Sequence, residues 1–291
     1  MEKKLKVAFL ISGRSRYYIY QAHTFLHKVF RHCNADIYIS FQANSKLNLN
    51  KNDVDQLVPK HLKINIDDDI DDKVYLTSLF GDKLKHFGYD NEEYINSIIN
   101  SKINSIKNNN NDSVNIDYEV VKFKLDQYAR VKNIAEIFES CVLTNNETYD
   151  VIVRTRLDQL FWIDDFNLNQ YITDTNALYV NYRLDWDISP INNKPNWIRD
   201  FFYFGNPSLM LYLMKNFVTN MYNSNCLSQN NINYAPEVEI AKFINSDIYL
   251  NNKTKTINLP DCLCLFTSQL YINGYYLGEK KNVYKHLRIA Y

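Results

Sequence analysis

The sequence predicts an α/β fold, a single domain with a mostly parallel central sheet flanked by helices. The first observation is the alternation of apolar run, helix-spaced segment and apolar run over residues 5–41. Strand, helix and strand within about forty residues is typical of a βαβ unit, whose strands run parallel. The second observation is the uninterrupted β-branched run at 151–153, because central parallel strands are buried on both faces. We find no internal repeat that would indicate another architecture.

Local spacing predicts the first three elements. Residues 5–12 are a short apolar run that ends at a glycine, which predicts a buried strand. Ser15 is placed to cap the helix that follows. The apolar positions of that helix have helical spacing and are Ala22, Phe25, Leu26, Val29, Phe30 and Cys33. Residues 35–41 predict the second strand.

The weakest signals lie in residues 42–118, which we interpret as a helical and loop insertion within the one domain. A brief alternating segment at 64–66 precedes an acidic run at 67–72. Helical spacing returns at 94–106, and the polar tract at 108–112 predicts a loop.

The second half of the chain alternates again. A long amphipathic helix is predicted at 118–142, directly before the strand at 151–153. The remaining predicted strands are 177–182, 200–205, 248–250 and 263–266, and the remaining predicted helices are 208–222 and 236–245. Pro236 fits the first turn of its helix, where a missing N–H costs nothing.

Length and charge limit the function classes. The chain has 291 residues, a formal net charge of +0 and 46% hydrophobic residues. A prior of roughly 100–200 residues per domain allows one large domain or two small ones. The balanced charge argues against a general nucleic-acid binder and a polybasic membrane-surface protein, because both need a basic surface.

Cysteine usage and hydropathy bear on the compartment. The five cysteines have no paired CxxC spacing, which favours buried thiols in a reducing compartment over a disulfide framework or a zinc site. No apolar window of about 18 residues occurs, so no membrane span is expected. The apolar run near the N-terminus is too short for a signal peptide. We therefore expect a soluble, cytoplasmic protein.

The first segment with candidate chemistry is the turn that contains Gly13, Arg14 and Arg16, between the first strand and its helix. A glycine there lets the backbone approach a ligand, and a helix N-terminus favours a phosphate. The two arginines would add charge-assisted hydrogen bonds to a diphosphate. The segment is neither a P-loop nor a dinucleotide fingerprint, so an ordinary tight turn with surface arginines is an equal alternative.

The second segment is Arg154, Arg156 and Asp158, directly after the strand at 151–153. Ligands in open α/β sheets bind beyond the carboxyl ends of the strands. A carboxylate at this place can hold Mg²⁺ or Mn²⁺ on a diphosphate, and the arginines can share the neutralisation. The alternative is a structural Arg–Asp pair that closes the sheet. The acidic run 67–72 is a rival metal site, but such like-charge runs usually form solvated loops.

The third candidate is a pair of later carboxylates. Asp200 precedes an aromatic strand, and Glu237 lies in the first turn of a predicted helix. Either side chain could deprotonate an acceptor hydroxyl if its pKa is raised. The alternative for Glu237 is a carboxylate that only stabilises the helix N-terminus.

Taken together, these segments resemble a GT-A-like glycosyltransferase family of bacterial surface-polysaccharide clusters and large DNA viruses. The matching segments, in order, are 7–16, 35–39, 149–158, 200–206 and the dipeptide Pro236-Glu237. The family often has His before Pro-Glu, and this chain has Ala235 there.

The resemblance implies a GT-A (Rossmann-related) fold and a hexosyl- or deoxyhexosyltransferase in polysaccharide biosynthesis, in the host cytoplasm if the protein is viral. Such an enzyme moves a sugar from a nucleotide-diphosphate sugar to a glycan hydroxyl. Our hypothesis for the mechanism is that a carboxylate, Asp200 or Glu237, activates the acceptor for attack with inversion. The implied donor-binding residues are Gly13, Arg14 and Arg16, with Arg154 and Arg156 beside them. Asp158 resembles the surviving aspartate of a DxD motif for Mn²⁺ or Mg²⁺, and Asp200 and Glu237 resemble acceptor-side or base residues.

Two other functions are compatible with the same residues. A non-catalytic protein that binds nucleotide sugars or glycans would keep the fold, and a tyrosine-rich surface suits sugar stacking. A sulfotransferase fits less well, because the turn at Gly13 lacks the lysine and serine or threonine of a phosphate-binding loop.

Overall fold

The computed structural model describes most of the predicted elements. The described residues are 5–16, 18–46, 71–109, 116–157, 159–160, 167–181, 197–198, 200, 202–222, 236–257, 265–266, 271–272, 275–276 and 281–282. Twelve strands are assigned among them: β1 (Lys6–Arg16), β2 (Asn34–Lys46), β3 (Leu84–Tyr89), β4 (Val151–Thr155), β5 (Gln159–Leu160), β6 (Leu178–Asn181), β7 (Tyr203–Gly205), β8 (Thr254–Ile257), β9 (Leu265–Phe266), β10 (Tyr271–Ile272), β11 (Tyr275–Tyr276) and β12 (Lys281–Asn282).

Seven of these strands form the central sheet, in the order β3-β2-β1-β4-β7-β6-β8. The pairs β2–β3, β1–β2, β1–β4 and β6–β8 are parallel. Strand β7 is antiparallel to both of its neighbours, β4 and β6. The prediction of an α/β fold with a mostly parallel sheet is therefore confirmed, and the architecture is compatible with a Rossmann-like fold.

Seven α-helices flank the sheet in the described part of the chain: α1 (Tyr18–Lys28), α2 (Asp72–Phe80), α3 (Glu92–Asn109), α4 (Tyr118–Asn145), α5 (Pro207–Asn220), α6 (Pro236–Ser246) and α7 (Ile248–Asn251). Short 3₁₀ turns occur at Phe30–His32, Gly81–Lys83 and Leu168–Gln170. Helix α4 begins at an Asp117 cap, whose carboxylate accepts hydrogen bonds from the Glu119 and Val120 amides. It ends at Asn146 in the left-handed conformation.

The two faces of the sheet carry two separate cores, because successive side chains of a strand point to opposite faces. On β1, Val7, Phe9 and Ile11 pack with the aromatic side chains of α1 and α2. Ala8 and Leu10 pack on the other face with α3, α4, α5 and α6. Both sets are almost fully buried, so β1 is a central strand as its apolar run predicts.

Three local predictions are wrong. Ser15 does not cap α1: it is part of β1, and its amide donates to the Ser45 hydroxyl at 2.8 Å. The segment 42–118 is not only helix and loop, because β3 forms the sheet edge, where a half-exposed strand leaves little hydrophobic pattern. Residues 248–250 are helical, since Asp247 caps α7, and the strand lies later, at β8.

The described helices and cysteines bear on two further predictions. Within the described ranges, no helix is both long enough and apolar enough to cross a membrane. Cys33 and Cys141 are half-buried. The other three cysteines, Cys226, Cys262 and Cys264, lie outside the described residues.

Candidate functional site

One face of the sheet changes from apolar to polar where the parallel strands end. Along this face, β1 changes from the apolar Ala8 and Leu10 to the polar Ser12. On the same face, β4 changes from Ile152 to Arg154. The β1–β4 register aligns Ile11 with Thr155, so the polar ends of both strands lie side by side. This is the edge at which open α/β sheets bind ligands.

The reversed direction of β7 brings a carboxylate to the same edge. Tyr203, the first residue of β7, pairs with Arg154 near the end of β4. Asp200 therefore precedes β7 at the carboxyl edge, although it comes before its strand in the sequence. The Arg154 guanidinium carbon lies 5.9 Å from the centre of the Tyr203 ring.

These strand ends, together with α4 and the start of α6, enclose a cavity of about 250 Å³. We call it the edge cavity. Its lining residues are Ser12, Gly13, Arg14, Phe123, Lys124, Asp126, Gln127, Arg130, Arg154, Arg156, Asp200, Pro236 and Glu237. Five of these are basic and three are acidic, so the cavity has a positive excess and favours an anionic ligand.

The basic side of the edge cavity is built around a glycine. Gly13 has a φ of 117°, a backbone conformation that side chains rarely adopt. A Cβ at this position would lie 4.0 Å from the Arg156 Nε. Arg156 and Arg154 are both nearly inaccessible to solvent, at 5% and 0% exposure. The glycine thus leaves the backbone of the turn close to buried guanidinium groups.

An exposed aromatic ring lies at the cavity on α4. The Phe123 side chain is 52% exposed although it is large and apolar. The Arg14 guanidinium carbon is 5.2 Å from the ring centre, and the Lys124 Nζ is 5.4 Å from it. The ring therefore holds two cationic groups at the cavity by cation–π attraction.

On the acidic side, Asp200 is buried and fixed by two residues of α4. Its Oδ2 accepts a hydrogen bond from the Tyr128 hydroxyl at 3.0 Å and another from the Gln127 amide. Burial, followed by the Asp200 charge, raises the pKa of Tyr128 well above its ordinary value, so the hydroxyl keeps its proton. The Asp200 carboxylate consequently has a fixed orientation at the cavity.

Glu237 is a carboxyl group of the cavity with a raised pKa. It lies in the first turn of α6, whose start is tied down because the Ile198 amide donates to the Glu237 carbonyl at 3.0 Å. Burial and then repulsion from Asp200 raise the pKa of the Glu237 carboxyl to about 7, although its own backbone amide and Lys124 oppose the rise. A carboxylate that only stabilised a helix N-terminus would have a lowered pKa, which is the opposite direction.

A buried ion cluster forms the wall behind the cavity. The Arg130 guanidinium, 1% exposed as a residue, donates to Asp90 at 2.7 Å, to both oxygens of Glu92 at 2.9 Å and to Asp126 at 2.8 Å. Asn133 also donates to Asp90, at 2.9 Å. These contacts fix Asp126 and Arg130 to each other, so the wall is rigid.

The edge cavity brings together six of the residues singled out from the sequence: Gly13, Arg14, Arg154, Arg156, Asp200 and Glu237. The side chain of Arg16 lies outside the described part of the structure, although its backbone ends β1. Asp158 also lies outside the described residues. The prediction that it binds a metal therefore stays a prediction.

Of the acidic run 67–72, the structure describes only the last two residues. Residues 67–70 are not described, whereas Asp71 caps α2 and Asp72 accepts hydrogen bonds from Tyr18 at 2.7 Å and Tyr89 at 2.8 Å. Both described aspartates thus have structural roles. Across the described ranges, no group of three or more His, Cys, Asp or Glu side chains is arranged to hold a metal ion.

The sequence analysis missed the contribution of α4 to the site. The helical spacing of α4 makes Tyr128 one of its apolar positions. The Tyr128 hydroxyl nevertheless donates a hydrogen bond to Asp200. From the sequence alone, Lys124 and Gln127 look like polar residues on a solvated helix face. Only the position of β7 shows that they belong to the site. No protein-family model and no curated protein matches the sequence, so the site is interpreted from its geometry.

Proposed function

We propose that this protein is a glycosyltransferase, which moves a sugar from a nucleotide-diphosphate sugar to a hydroxyl of a glycan acceptor with inversion. The observation that carries the proposal is the composition of the edge cavity. It combines a cluster of arginines with a carboxyl group, Glu237, whose pKa is raised to about 7. An anionic leaving group and a general base are the two needs of this reaction.

The donor end of the reaction is assigned to the basic side of the cavity. Arg14, Arg154 and Arg156 would hold the diphosphate by charge-assisted hydrogen bonds. Because Arg154 and Arg156 are buried in a low-dielectric wall, they would stabilise the negative charge that develops on the leaving nucleoside diphosphate. Gly13 would allow the diphosphate to approach the backbone of the turn.

The acceptor end is assigned to Glu237. Its carboxylate accepts the proton of the acceptor hydroxyl while the acceptor oxygen bonds to the anomeric carbon and the sugar–diphosphate bond breaks. A base with a pKa of about 7 is half deprotonated at neutral pH and still basic enough to take a proton. Asp200 acts as a positioning residue, since its charge adds to the effect of burial in raising the pKa of Glu237.

The described residues do not fit a divalent-cation centre. The Asp200 oxygen Oδ2 already accepts two hydrogen bonds, and Glu237 is partly protonated at neutral pH. Mg²⁺ and Mn²⁺ prefer ionised carboxylates and water. No step is therefore assigned to a metal, and Asp158 with Mn²⁺ or Mg²⁺ remains a prediction from the resemblance, which assays with Mn²⁺ and with EDTA would test.

The central experiment is a turnover assay over a panel of UDP-, GDP- and dTDP-sugars, each with and without simple sugar acceptors. For Glu237→Gln we expect kcat to fall by roughly 10²–10⁴-fold, which is the usual contribution of a general base. Glu239→Gln is the matched control on the same helix, because the Glu239 carboxylate instead accepts from the Tyr222 amide at 3.2 Å. A Glu237→Gln protein that turns over at the wild-type rate would contradict the assignment.

The same assay has a pH signature. Since the base must be deprotonated, kcat/KM should rise with pH and level off above about 7. Lys124→Met removes a cation that lowers the pKa of Glu237. In this variant, the rising acid limb of the kcat/KM profile should therefore move to higher pH. An acid limb that stays in place would mean that another group titrates.

One outcome would favour the alternative class. If calorimetry detects binding of nucleotide sugars and no donor is consumed with any acceptor or with water, the protein is a non-catalytic binder of the same ligands. The basic side of the cavity would then keep its assignment, and the base role of Glu237 would be withdrawn.

A further inference from the structure

Two serines lie next to each other on the central strands and differ in one respect. Ser12 of β1 and Ser40 of β2 are register partners, and both side chains are buried, at 2% and 0% exposure. The Ser40 hydroxyl donates to the Asp90 carboxylate. The Ser12 hydroxyl has no hydrogen-bond partner among the described residues, and Ser12 lines the edge cavity.

A buried hydroxyl without a hydrogen-bond partner destabilises a fold, and an alanine at the same position would avoid this cost. Ser12 follows Ala8 and Leu10 on the same face of β1, so a small apolar residue would fit this row. The cost is recovered only if a bound molecule supplies the missing partner.

The surroundings of Ser12 indicate the chemistry of that partner. Arg14, Arg154 and Arg156 line the same cavity, and guanidinium groups carry hydrogen-bond donors but no acceptors. A molecule that fills the space between them must therefore present acceptors and negative charge. A phosphate group has several acceptor oxygens, so it can accept hydrogen bonds from the guanidinium groups and from the Ser12 hydroxyl at the same time.

We infer that Ser12 is a ligand-binding residue whose hydroxyl donates a hydrogen bond to a phosphate oxygen of the molecule in the edge cavity. The inference rests on the proposed function, because a nucleotide-diphosphate sugar supplies the diphosphate. It adds a neutral donor, deep in the cavity, to the charged groups that attract the anion.

The test measures binding and stability together for Ser12→Ala, Ser12→Cys and Ser40→Ala. The probes are inorganic pyrophosphate, UDP and GDP in calorimetry, and the thermal midpoint of the unliganded protein is recorded for each variant. For Ser12→Ala we expect Kd to rise roughly 10- to 100-fold, the equivalent of one hydrogen bond to a charged group. Its thermal midpoint should stay the same or increase, because an unsatisfied hydroxyl is removed.

The two other variants separate binding from folding. Ser12→Cys keeps the shape of the side chain, with a slightly larger atom and a weak donor, so its Kd should lie between those of wild type and Ser12→Ala. Ser40→Ala breaks a satisfied buried hydrogen bond, so its thermal midpoint should fall while Kd changes by less than about twofold. A Ser12→Ala protein with a lower midpoint and unchanged Kd would show that the residue is structural and would overturn the inference.

The remaining outcomes distinguish this inference from the proposed function. If Ser12→Ala weakens binding of the probes and no donor sugar is turned over, Ser12 keeps its role and the glycosyltransferase proposal fails. If donors are turned over and Ser12→Ala has the wild-type KM and Kd, only the role of Ser12 fails. Wild-type protein that binds none of the probes at millimolar concentration overturns the inference outright.

Discussion

The two ends of the same central strands handle charge in opposite ways. At the amino edge, Asp36 at the start of β2 has the Nζ atoms of Lys6 at 3.7 Å, Lys83 at 3.9 Å and Lys85 at 4.0 Å. Lys6 and Lys85 also reach Glu147, at 3.4 and 3.9 Å. A third carboxylate, Asp150, accepts a hydrogen bond from the Lys6 amide at 2.9 Å, so three lysines and three carboxylates compensate one another at this edge.

At the carboxyl edge, the basic lining residues outnumber the acidic ones around an open volume, and two carboxyl groups repel each other. The difference teaches that a cluster of charged residues indicates a binding site only where the cluster has a net charge and a cavity is present. The amino edge has clustered charge and a stabilising role.

The largest expected effect concerns the wall of the edge cavity. Arg130→Met leaves the Asp90 carboxylate buried without its guanidinium partner, and removal of one member of a buried pair costs about 3–5 kcal/mol. Lys85→Met at the amino edge should cost less than about 1 kcal/mol, because its ion pairs are partly exposed. Urea denaturation measures both, and equal losses would remove the distinction between the two edges.

The next effect is on ligand affinity. Arg156→Met should raise the Kd for pyrophosphate by roughly 10- to 100-fold, since it removes a buried charged donor from the edge cavity. Lys85→Met should leave that Kd unchanged. Calorimetry at low and high salt provides the measurement, and a comparable loss in both variants would mean that pyrophosphate binds through long-range attraction alone.

The third effect is a pH dependence of stability set by Glu237. Because its folded pKa of about 7 exceeds its ordinary 4.5, the folded state binds more protons than the unfolded state between these values, and stability falls as pH rises through them. Glu237→Gln removes this loss. We expect the variant to be more stable than wild type by about 1–2 kcal/mol at pH 8, with the difference vanishing near pH 4.5. Denaturation at the two pH values checks the sign.

The smallest effect has the reverse sign and lies at the amino edge. A hydrogen bond from the Tyr149 hydroxyl, with help from Lys6, lowers the pKa of Glu147. Its contribution is present above the ordinary pKa of 4.5 and is lost as pH falls through the lower folded value. Glu147→Gln should thus be less stable than wild type at pH 7, by up to about 1 kcal/mol, and equal to it in acid. A variant that is more stable at pH 7 would contradict this.

The fold was predictable wherever one strand or helix face is fully buried. The runs that became β1, β2 and β4 are apolar on both faces, and the amphipathic spacing of α4 is long. Strand β3 was not predictable, because it pairs on one side only and is only partly buried, with Lys85 and Tyr89 exposed. The reversed direction of β7 has no local signature, since a three-residue strand pairs equally well either way.

The candidate site was predictable in part for the same reason. Gly13, Arg154 and Arg156 lie at the carboxyl ends of buried strands, and these ends meet at one edge of a parallel sheet. Asp200 and Glu237 needed the tertiary structure before they could be placed beside each other, since their shared environment depends on β7 and α6. Ser12 carried no signal at all, because an unsatisfied hydroxyl is a property of its neighbours.

Because side chains alternate between the two faces of a strand, residues that pack in the core and residues that line the cavity can be mutated separately. On β1, Val7, Phe9 and Ile11 hold the core of one face, while Ser12 belongs to the cavity on the other. Exchanging Ser12 or Arg154 alters the chemistry of the cavity without touching Ile11. A lineage, or an engineer, can therefore retune which ligand this scaffold accepts by changing alternate residues at the strand ends and keeping the intervening ones.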